Sequence, residues 1–312
     1  MRLILIINYL LLASASIGCQ NTDNLSDDYD LERKIYRYEG NISVDGHSRY
    51  YLLILPSNYY DSSDFPLVIA LHGTGGKALQ CEHDYKLTEK ANAENYIIVY
   101  PEGVQSDGVL GIRTWNAGYC CDYAAQNNID DVKFINSLID RLNSSFKTNP
   151  RKVYVTGISN GAMMAYRLAC EIPNKIAAIA PVSGTMLTTS PCNPSRVVPV
   201  LHIHSENDSK VPPQGGIGIG GYYFPPVDSV LRVWAMIDSC NSTEPTISVF
   251  ENYSKYQWQN NRDGICIEYY LTKDGGHAWP GGLKSRDRAD TPSKAIDAND
   301  LIWAFFKKHE LP

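Results

Sequence analysis

Residues Tyr154 to Ala165 read YVTGISNGAMMA, and the interpretation of the whole chain turns on this stretch. The β-branched and aromatic run Val153, Tyr154, Val155 leads into it, and helix formers from Ala162 to Ala169 lead out, so the pattern is strand, sharp turn, helix. The turn holds Gly157-x-Ser159-x-Gly161. A serine there occupies a strained backbone position with its Oγ pushed out above the sheet, and the flanking glycines leave room where a Cβ would clash. That is the form of a nucleophile elbow. Glycine and serine are common in turns, so the bare pattern says little, and the strand and helix on either side give it weight.

Working outward, Lys34 to Leu55 alternates apolar and polar residues around Asp45-Gly46, which predicts an antiparallel hairpin. Pro66 to Leu71 (PLVIAL) is a continuous apolar run suited to a buried strand, and it ends in His72-Gly73-Thr74-Gly75-Gly76. Tyr85 to Asn95 has helical character, and Tyr96 to Tyr100 is a second buried strand. A long loop follows, Pro101 to Asn128, with Trp115, Asn116 and the Cys120/Cys121 pair. Ile129 to Phe146 sets Val132, Ile135, Leu138, Ile139 and Leu142 on one helical face, with Asp130 and Asp131 read as cap and first-turn charges rather than catalytic acids. Beyond the elbow, Ile176 to Val182 and Pro199 to Ile203 are buried strands. Lys210 to Pro226 is a glycine and proline loop that fits no phosphate-binding fingerprint and reads as a rim or lid. A helix over Val227 to Ser239, strands over Ile247 to Tyr253 and Ile265 to Leu271, and a C-terminal helix opening at Thr291-Pro292 complete the pattern. Strands alternating with helices predict an α/β fold with a mostly parallel sheet covered on both faces. There is no internal repeat, and a single domain spans residues 34–312.

The chain has 312 residues, 44% of them hydrophobic and 20% charged, which is enough for one large buried core. A net charge of -6 and the absence of any basic run set nucleic acid aside. Residues 1–18 (MRLILIINYLLLASASIG) combine one arginine, a short apolar core and small residues in the proportions of an export signal. Ser16-Ile17-Gly18-Cys19 resembles a bacterial lipobox, with Ser16 where leucine is usual, which makes Cys19 a candidate lipidation site and membrane anchor; plain secretion is the alternative. Residues 19–33 are polar and acidic and read as a flexible tether. The other seven cysteines are expected to form disulfides, since an exported protein meets oxidising conditions and no C-x-x-C pair is present. Seven leaves one thiol over. Cys240 and Cys266 bracket one helix-to-strand excursion and form the expected pair.

A serine hydroxyl is a poor nucleophile until an imidazole takes its proton, and the imidazole needs an acid to hold its tautomer. On the α/β-hydrolase fold these groups follow one another in the order serine, acid, histidine, on loops after successive strands. Asp208 follows the strand ending at His204, and His277 lies in the glycine-flanked loop after the strand ending at Leu271. Glu206, in the same loop as Asp208, is the runner-up acid. His47, His72 and His83 precede the elbow, His202 and His204 lie within a strand, and His309 ends the last helix. His202 and His204 could be imagined as metal ligands with Asp208, but no third ligand of suitable spacing stands out, so neither a metal nor a cofactor is expected. The oxyanion hole is expected from the backbone N–H groups of Asn160 and of Thr74, with Gly73 keeping the approach open.

Taken together, LHGTGG (Leu71–Gly76), TWNAGYCC (Thr114–Cys121), DDVKF (Asp130–Phe134), GISNGAMMAYRLACE (Gly157–Glu171), the Asp208 loop and GGHAWPGG (Gly275–Gly282) resemble the secreted α/β-hydrolases of the polyhydroxybutyrate depolymerase and feruloyl esterase type, close to carbohydrate esterase family 1. The resemblance runs from about Arg49 to Phe306 and departs at Ala162, where a second glycine is usual. It implies Ser159, Asp208 and His277 as the triad, and as substrates feruloyl or acetyl esters of plant xylan or hydroxybutyrate polyesters. For an exported chain it implies plant cell-wall polysaccharide as the partner. Trp115, Trp279, Tyr222 and Tyr223, with Phe224, are the candidate substrate-binding aromatics. A polyester depolymerase or general short-acyl esterase is the alternative within the class. A non-catalytic carbohydrate-binding lipoprotein is the alternative outside it.

Overall fold

Among the described residues ten strands share one sheet, because most of them are apolar on both faces and need cover above and below. The computed structural model describes residues 34–261 and 264–312. The signal segment 1–18, Cys19 and the tether 19–33 lie outside the described residues. In chain order the strands are β1 (Arg37–Val44), β2 (His47–Ile54), β3 (Phe65–Leu71), β4 (Ile97–Pro101), β5 (Thr148–Ile158), β6 (Ala178–Val182), β7 (Val200–Ser205), β8 (Thr246–Val249), β9 (Tyr253–Asn260) and β10 (Gly264–Thr272). Their spatial order is β1-β2-β4-β3-β5-β6-β7-β10-β9-β8. The six strands from β4 to β10 run parallel, while β1 and β2 at one edge and β9 and β8 at the other run antiparallel.

Period-two alternation sorts each central strand between two cores. Leu67, Ile69 and Leu71 of β3 face one, together with α3 (Asp131–Ser145), α4 (Asn160–Glu171) and α5 (Val227–Ile237). Val68 and Ala70 face the other, with α1 (Ala78–Tyr85), α2 (Leu87–Glu94) and α6 (Ala298–Phe306). Since the centre of the sheet is buried on both sides, the catalytic candidates gather on loops at the carboxyl ends of the parallel strands.

The predicted hairpin, the buried strands and the α3 and α5 helices are present. The expected strand over Ile247 to Tyr253 ends at Val249, the expected loop Pro101 to Asn128 holds a short helix at Asp122–Gln126, and three longer elements also differ from expectation. Strand β9 (YSKYQWQN) was not expected, because its buried positions include Ser254 and Asn260 as well as Trp258, so no apolar alternation marks it. Helix α1 was also missed; it ends at Tyr85, and Lys86, with φ 56°, separates it from α2. The C-terminal helix opens at Ala298 rather than at Thr291-Pro292. Asp297 caps it by accepting from the Asn299 and Asp300 N–H groups at 2.8 and 3.2 Å, whereas Ser293 and Lys294 are tied to Asp274 instead. Cys240 pairs with Cys266 as expected; Cys170 pairs with Cys192 and Cys120 with its neighbour Cys121, leaving the buried Cys81 as the free thiol among the described residues.

Candidate active site

Ser159 sits between β5 and α4 with φ 58° and ψ -123°, a conformation that costs an L-residue about 1–3 kcal/mol and persists only when its surroundings impose it. They do so through backbone packing. A Cβ on Gly161 would stand 2.5 Å from the Leu71 carbonyl oxygen, and one on Gly157 would stand 2.7 Å from the same atom. The Ser159 N–H donates to the Val182 oxygen at 2.9 Å, which ties the turn to β6. Gly184 likewise makes room for Ala162, since a Cβ there would meet the Ala162 methyl at 2.6 Å.

Asp208 follows β7 and is buried. Its Oδ1 accepts from the Lys210 and Val211 N–H groups, each at 2.9 Å. Its Oδ2 lies 2.7 Å from His277 Nδ1 and 3.2 Å from His204 Nε2. Burial alone would raise this carboxyl, but the hydrogen bonds and charges of His204 and His277 outweigh it and hold the group well below the usual carboxylate range. His277 is placed by a glycine turn: Gly275 has φ 75°, and a Cβ there would run into the Ser293 backbone at 2.6 Å. The His277 N–H donates to Asp290 Oδ2 at 2.9 Å, and Lys210 Nζ pairs with that same oxygen at 3.2 Å. Glu206 is exposed and takes no part in this arrangement.

Ser159 and His277 open onto one cavity of about 490 Å³, whose wall includes Thr74, Tyr85, Met163, Tyr222, Phe224 and Trp279. Gly73 lies so close to the serine that a Cβ on it would be 3.3 Å from the Ser159 Cβ, which brings the Thr74 loop alongside Ser159. His72 pins this loop from behind. Its Nε2 accepts from the Gly103 N–H at 2.9 Å, so its proton is on Nδ1, which donates to the Gly73 oxygen at 2.7 Å. Burial pushes the His72 imidazole down to about 4, against the pull of the Gly73 hydrogen bond, and the ring is neutral at neutral pH.

The aromatics divide. Trp279 lines the cavity while stacking on Tyr85 at 4.4 Å and donating from Nε1 to Asn299 Oδ1 at 2.9 Å. Tyr222 lines it too, and its hydroxyl donates to Asp122 Oδ1 at 2.8 Å, joining the Lys210–Pro226 rim to the loop of Cys120 and Cys121. Trp115 does not line it. Its indole N–H donates to the His72 oxygen at 3.0 Å, and Asn160 clamps its backbone, accepting from the Trp115 N–H at 2.7 Å and donating to its oxygen at 2.9 Å. Tyr223 is no wall residue either, because alternation turns it outward, 63% exposed, while Tyr222 and Phe224 on either side face the cavity. Asp130 caps α3 by accepting from the Lys133 N–H at 2.8 Å. Asp131 is fully buried, pairs with Arg49 at 2.5 Å and accepts from the Asn116 N–H at 2.7 Å, so it fixes the Trp115 loop. Tyr85, Gln80 and Asp84 were missed as wall residues because α1 was not recognised as a helix; Gln80 bonds Asp84 one turn on at 2.5 Å.

The model of the Esterase family matches residues 44–277, three quarters of the chain. The chain belongs to this family. Among curated proteins it is 26% identical over 265 residues to feruloyl esterase B of Piromyces equi, covering 82% of this chain and 44% of that one. It is 26% identical over 255 residues to a bifunctional acetylxylan esterase/xylanase of Neocallimastix patriciarum, covering 80% of this chain and 32% of the relative. The chain thus spans less than half the length of either. With "Probable feruloyl esterase C" of Aspergillus clavatus it shares 29% identity over 265 residues, 83% and 84% of the two chains. An acetyl xylan esterase from Aspergillus awamori superposes with a TM-score of 0.63 at 16% identity, over 87% of this chain and 99% of that one, which shows a common α/β-hydrolase fold.

Proposed function

We propose that the protein is an exported serine esterase that cleaves feruloyl or acetyl esters of plant cell-wall polysaccharide through an acyl-enzyme. The observation that carries this is the meeting in one cavity of a half-buried elbow serine, Ser159, with a histidine held 2.7 Å from a buried carboxylate. His277 takes the Ser159 Oγ proton as the oxygen attacks the acyl carbonyl. The Thr74 and Asn160 N–H groups stabilise the resulting oxyanion. Collapse breaks the ester bond, and the imidazolium returns its proton to the departing sugar oxygen. Water then attacks the acyl-serine by the same route and releases the acid. Asp208 stays ionised throughout, holding the His277 Nδ1–H and stabilising the imidazolium.

The wall of Tyr85, Trp279, Tyr222 and Phe224 favours an aromatic acyl group, because the cavity of about 490 Å³ far exceeds what an acetyl group fills. The names of the relatives, feruloyl esterase and acetylxylan esterase, support the same substrate class. The export-signal pattern and the paired cysteines support a place outside the cytoplasm, with Cys19 as the lipid anchor. The test is to incubate the protein with feruloylated and acetylated arabinoxylan, beside Ser159→Ala, and to quantify each acid. Ferulate in excess supports the aromatic pocket, acetate in excess replaces it by a small acyl site, and release by Ser159→Ala refutes the mechanism.

A further inference from the structure

Behind the carboxylate lies a line of buried polar groups that the chemistry above does not use. Tyr166 is on α4, two turns beyond Ser159, and His202 and His204 alternate along β7 so that both point to one face. All three are buried. Tyr166 Oη lies 2.9 Å from His202 Nδ1, His202 Nε2 lies 3.0 Å from His204 Nδ1, and His204 Nε2 lies 2.9 Å from the Val211 oxygen and 3.2 Å from Asp208 Oδ2. The chain runs from the nucleophile's own helix to the catalytic acid.

The protons in this line can be placed by elimination. His204 Nε2 faces two acceptors, so it carries hydrogen. With His204 neutral, its Nδ1 accepts from the His202 Nε2–H, and His202 Nδ1 accepts from the Tyr166 hydroxyl; every link then has one donor and one acceptor. The opposite polarity needs a charged His204 donating backwards through His202 to the tyrosine oxygen. That leaves the Tyr166 hydroxyl proton aimed away from His202, whose Nδ1 its oxygen meets at 2.9 Å. Burial, with His204 close by, also pushes the His202 imidazole well below its ordinary value. The other titratable groups facing the line are Tyr269, edge-on to His202 across β10 at 5.3 Å, and the Lys210–Asp290 pair on the His277 side.

We propose that Tyr166, His202 and His204 form a one-directional relay of neutral donors in which His204 is a positioning residue for Asp208 and so tunes the base His277. The proposal rests on the reading of Ser159, His277 and Asp208 as the triad. Two backbone N–H groups occupy Oδ1, and the two imidazoles share Oδ2, so the carboxylate plane cannot turn. A neutral donor at Oδ2 withdraws part of the carboxylate's charge without cancelling it, and a chain of aligned bonds strengthens each link. Removing that donor leaves Asp208 more basic, and a histidine beside a more basic carboxylate holds its proton to higher pH.

The experiment has two readouts on the full chain. Two-bond proton–nitrogen spectra of the ¹⁵N-histidine protein are expected to show His202 and His204 as neutral Nε2–H tautomers across the active pH range. An imidazolium or an Nδ1–H tautomer at either site overturns the relay. The second readout is the pH profile of kcat/KM on methyl ferulate. His204→Phe is expected to move the acidic limb up by about half to one pH unit and to lower kcat roughly tenfold with KM unchanged. Tyr166→Phe, which deletes one oxygen and keeps the packing, moves the limb less and in the same direction. His204→Gln restores a donor near the Nε2 position and brings the limb back. Should the limb stay in place in both His204→Phe and Tyr166→Phe, His204 has no positioning role. Turnover retained by Ser159→Ala would instead refute the triad, and the tautomers would stand or fall separately.

Discussion

Asn160 serves two places at once: its backbone opens the elbow helix beside Ser159, and its buried side chain clamps both polar groups of Trp115. Cutting it to alanine leaves the buried Trp115 N–H without a partner, at about 1–3 kcal/mol, and the Trp115 carbonyl with the 3.4 Å bond from the Cys121 N–H alone. Asn160→Ala is therefore expected to lose about 1–3 kcal/mol of stability in urea titrations, and its activity should fall further than its folded fraction, because the released loop borders the cavity. His72 makes a matching prediction about pH. Its folded value of about 4 lies below the ordinary 6.5, so the native state refuses a proton that the unfolded chain accepts. The stability it contributes is complete above about pH 6.5 and is lost as pH falls through that value towards about 4, at roughly 1.4 kcal/mol per pH unit. His202, also depressed by burial, adds a loss that begins at the same point. Urea unfolding between about pH 4 and 6.5 should show the summed slope, and His72→Gln should remove about half of it.

At the scale of elements, the elbow is a three-way contact of β5, α4 and the end of β3. Gly161 is closed on two sides by the Leu71 and His72 carbonyl oxygens, which would stand 2.5 and 2.6 Å from a Cβ there, and backbone cannot step aside as a side chain can. Gly161→Ala is expected to cost about 3 kcal/mol or to leave the protein insoluble. Ala162→Gly, one residue away, should cost only about 1 kcal/mol through helix propensity; thermal midpoints of the two variants compare them directly. The same elements show what could be read from sequence. Glycine spacing, apolar runs and chain order carried the elbow, the parallel strands, the Cys240–Cys266 pair and the adjacency of Asp208 and His277, because each leaves a local mark. Strand β9 and helix α1 left none, since tertiary packing rather than composition decides them. Trp115 was misplaced because an aromatic in a loop looks the same whether it meets solvent or a buried Asn160. The relay behind Asp208 was equally hidden, as the sequence places His202 and His204 on one face but cannot show Tyr166 arriving from α4.

At the scale of the whole molecule, the sheet delivers the serine from β5, the acid from β7 and the histidine from β10 to one end, and two aromatic loops complete a cavity around them. Below about pH 4 the Asp208 carboxylate adds to acid instability, for its depressed native value means that its contribution, present above the unfolded value, disappears as pH falls. The relation between this architecture and ester cleavage is tested most directly by trapping the intermediate. The protein is mixed with methyl ferulate, quenched in acid within the first turnover and analysed by intact and peptide mass spectrometry. A feruloyl adduct confined to the peptide bearing Ser159, absent from Ser159→Ala and accumulating in step with methanol release, is the predicted result. Methanol released at an undiminished rate by Ser159→Ala, or an adduct on another residue, would contradict it.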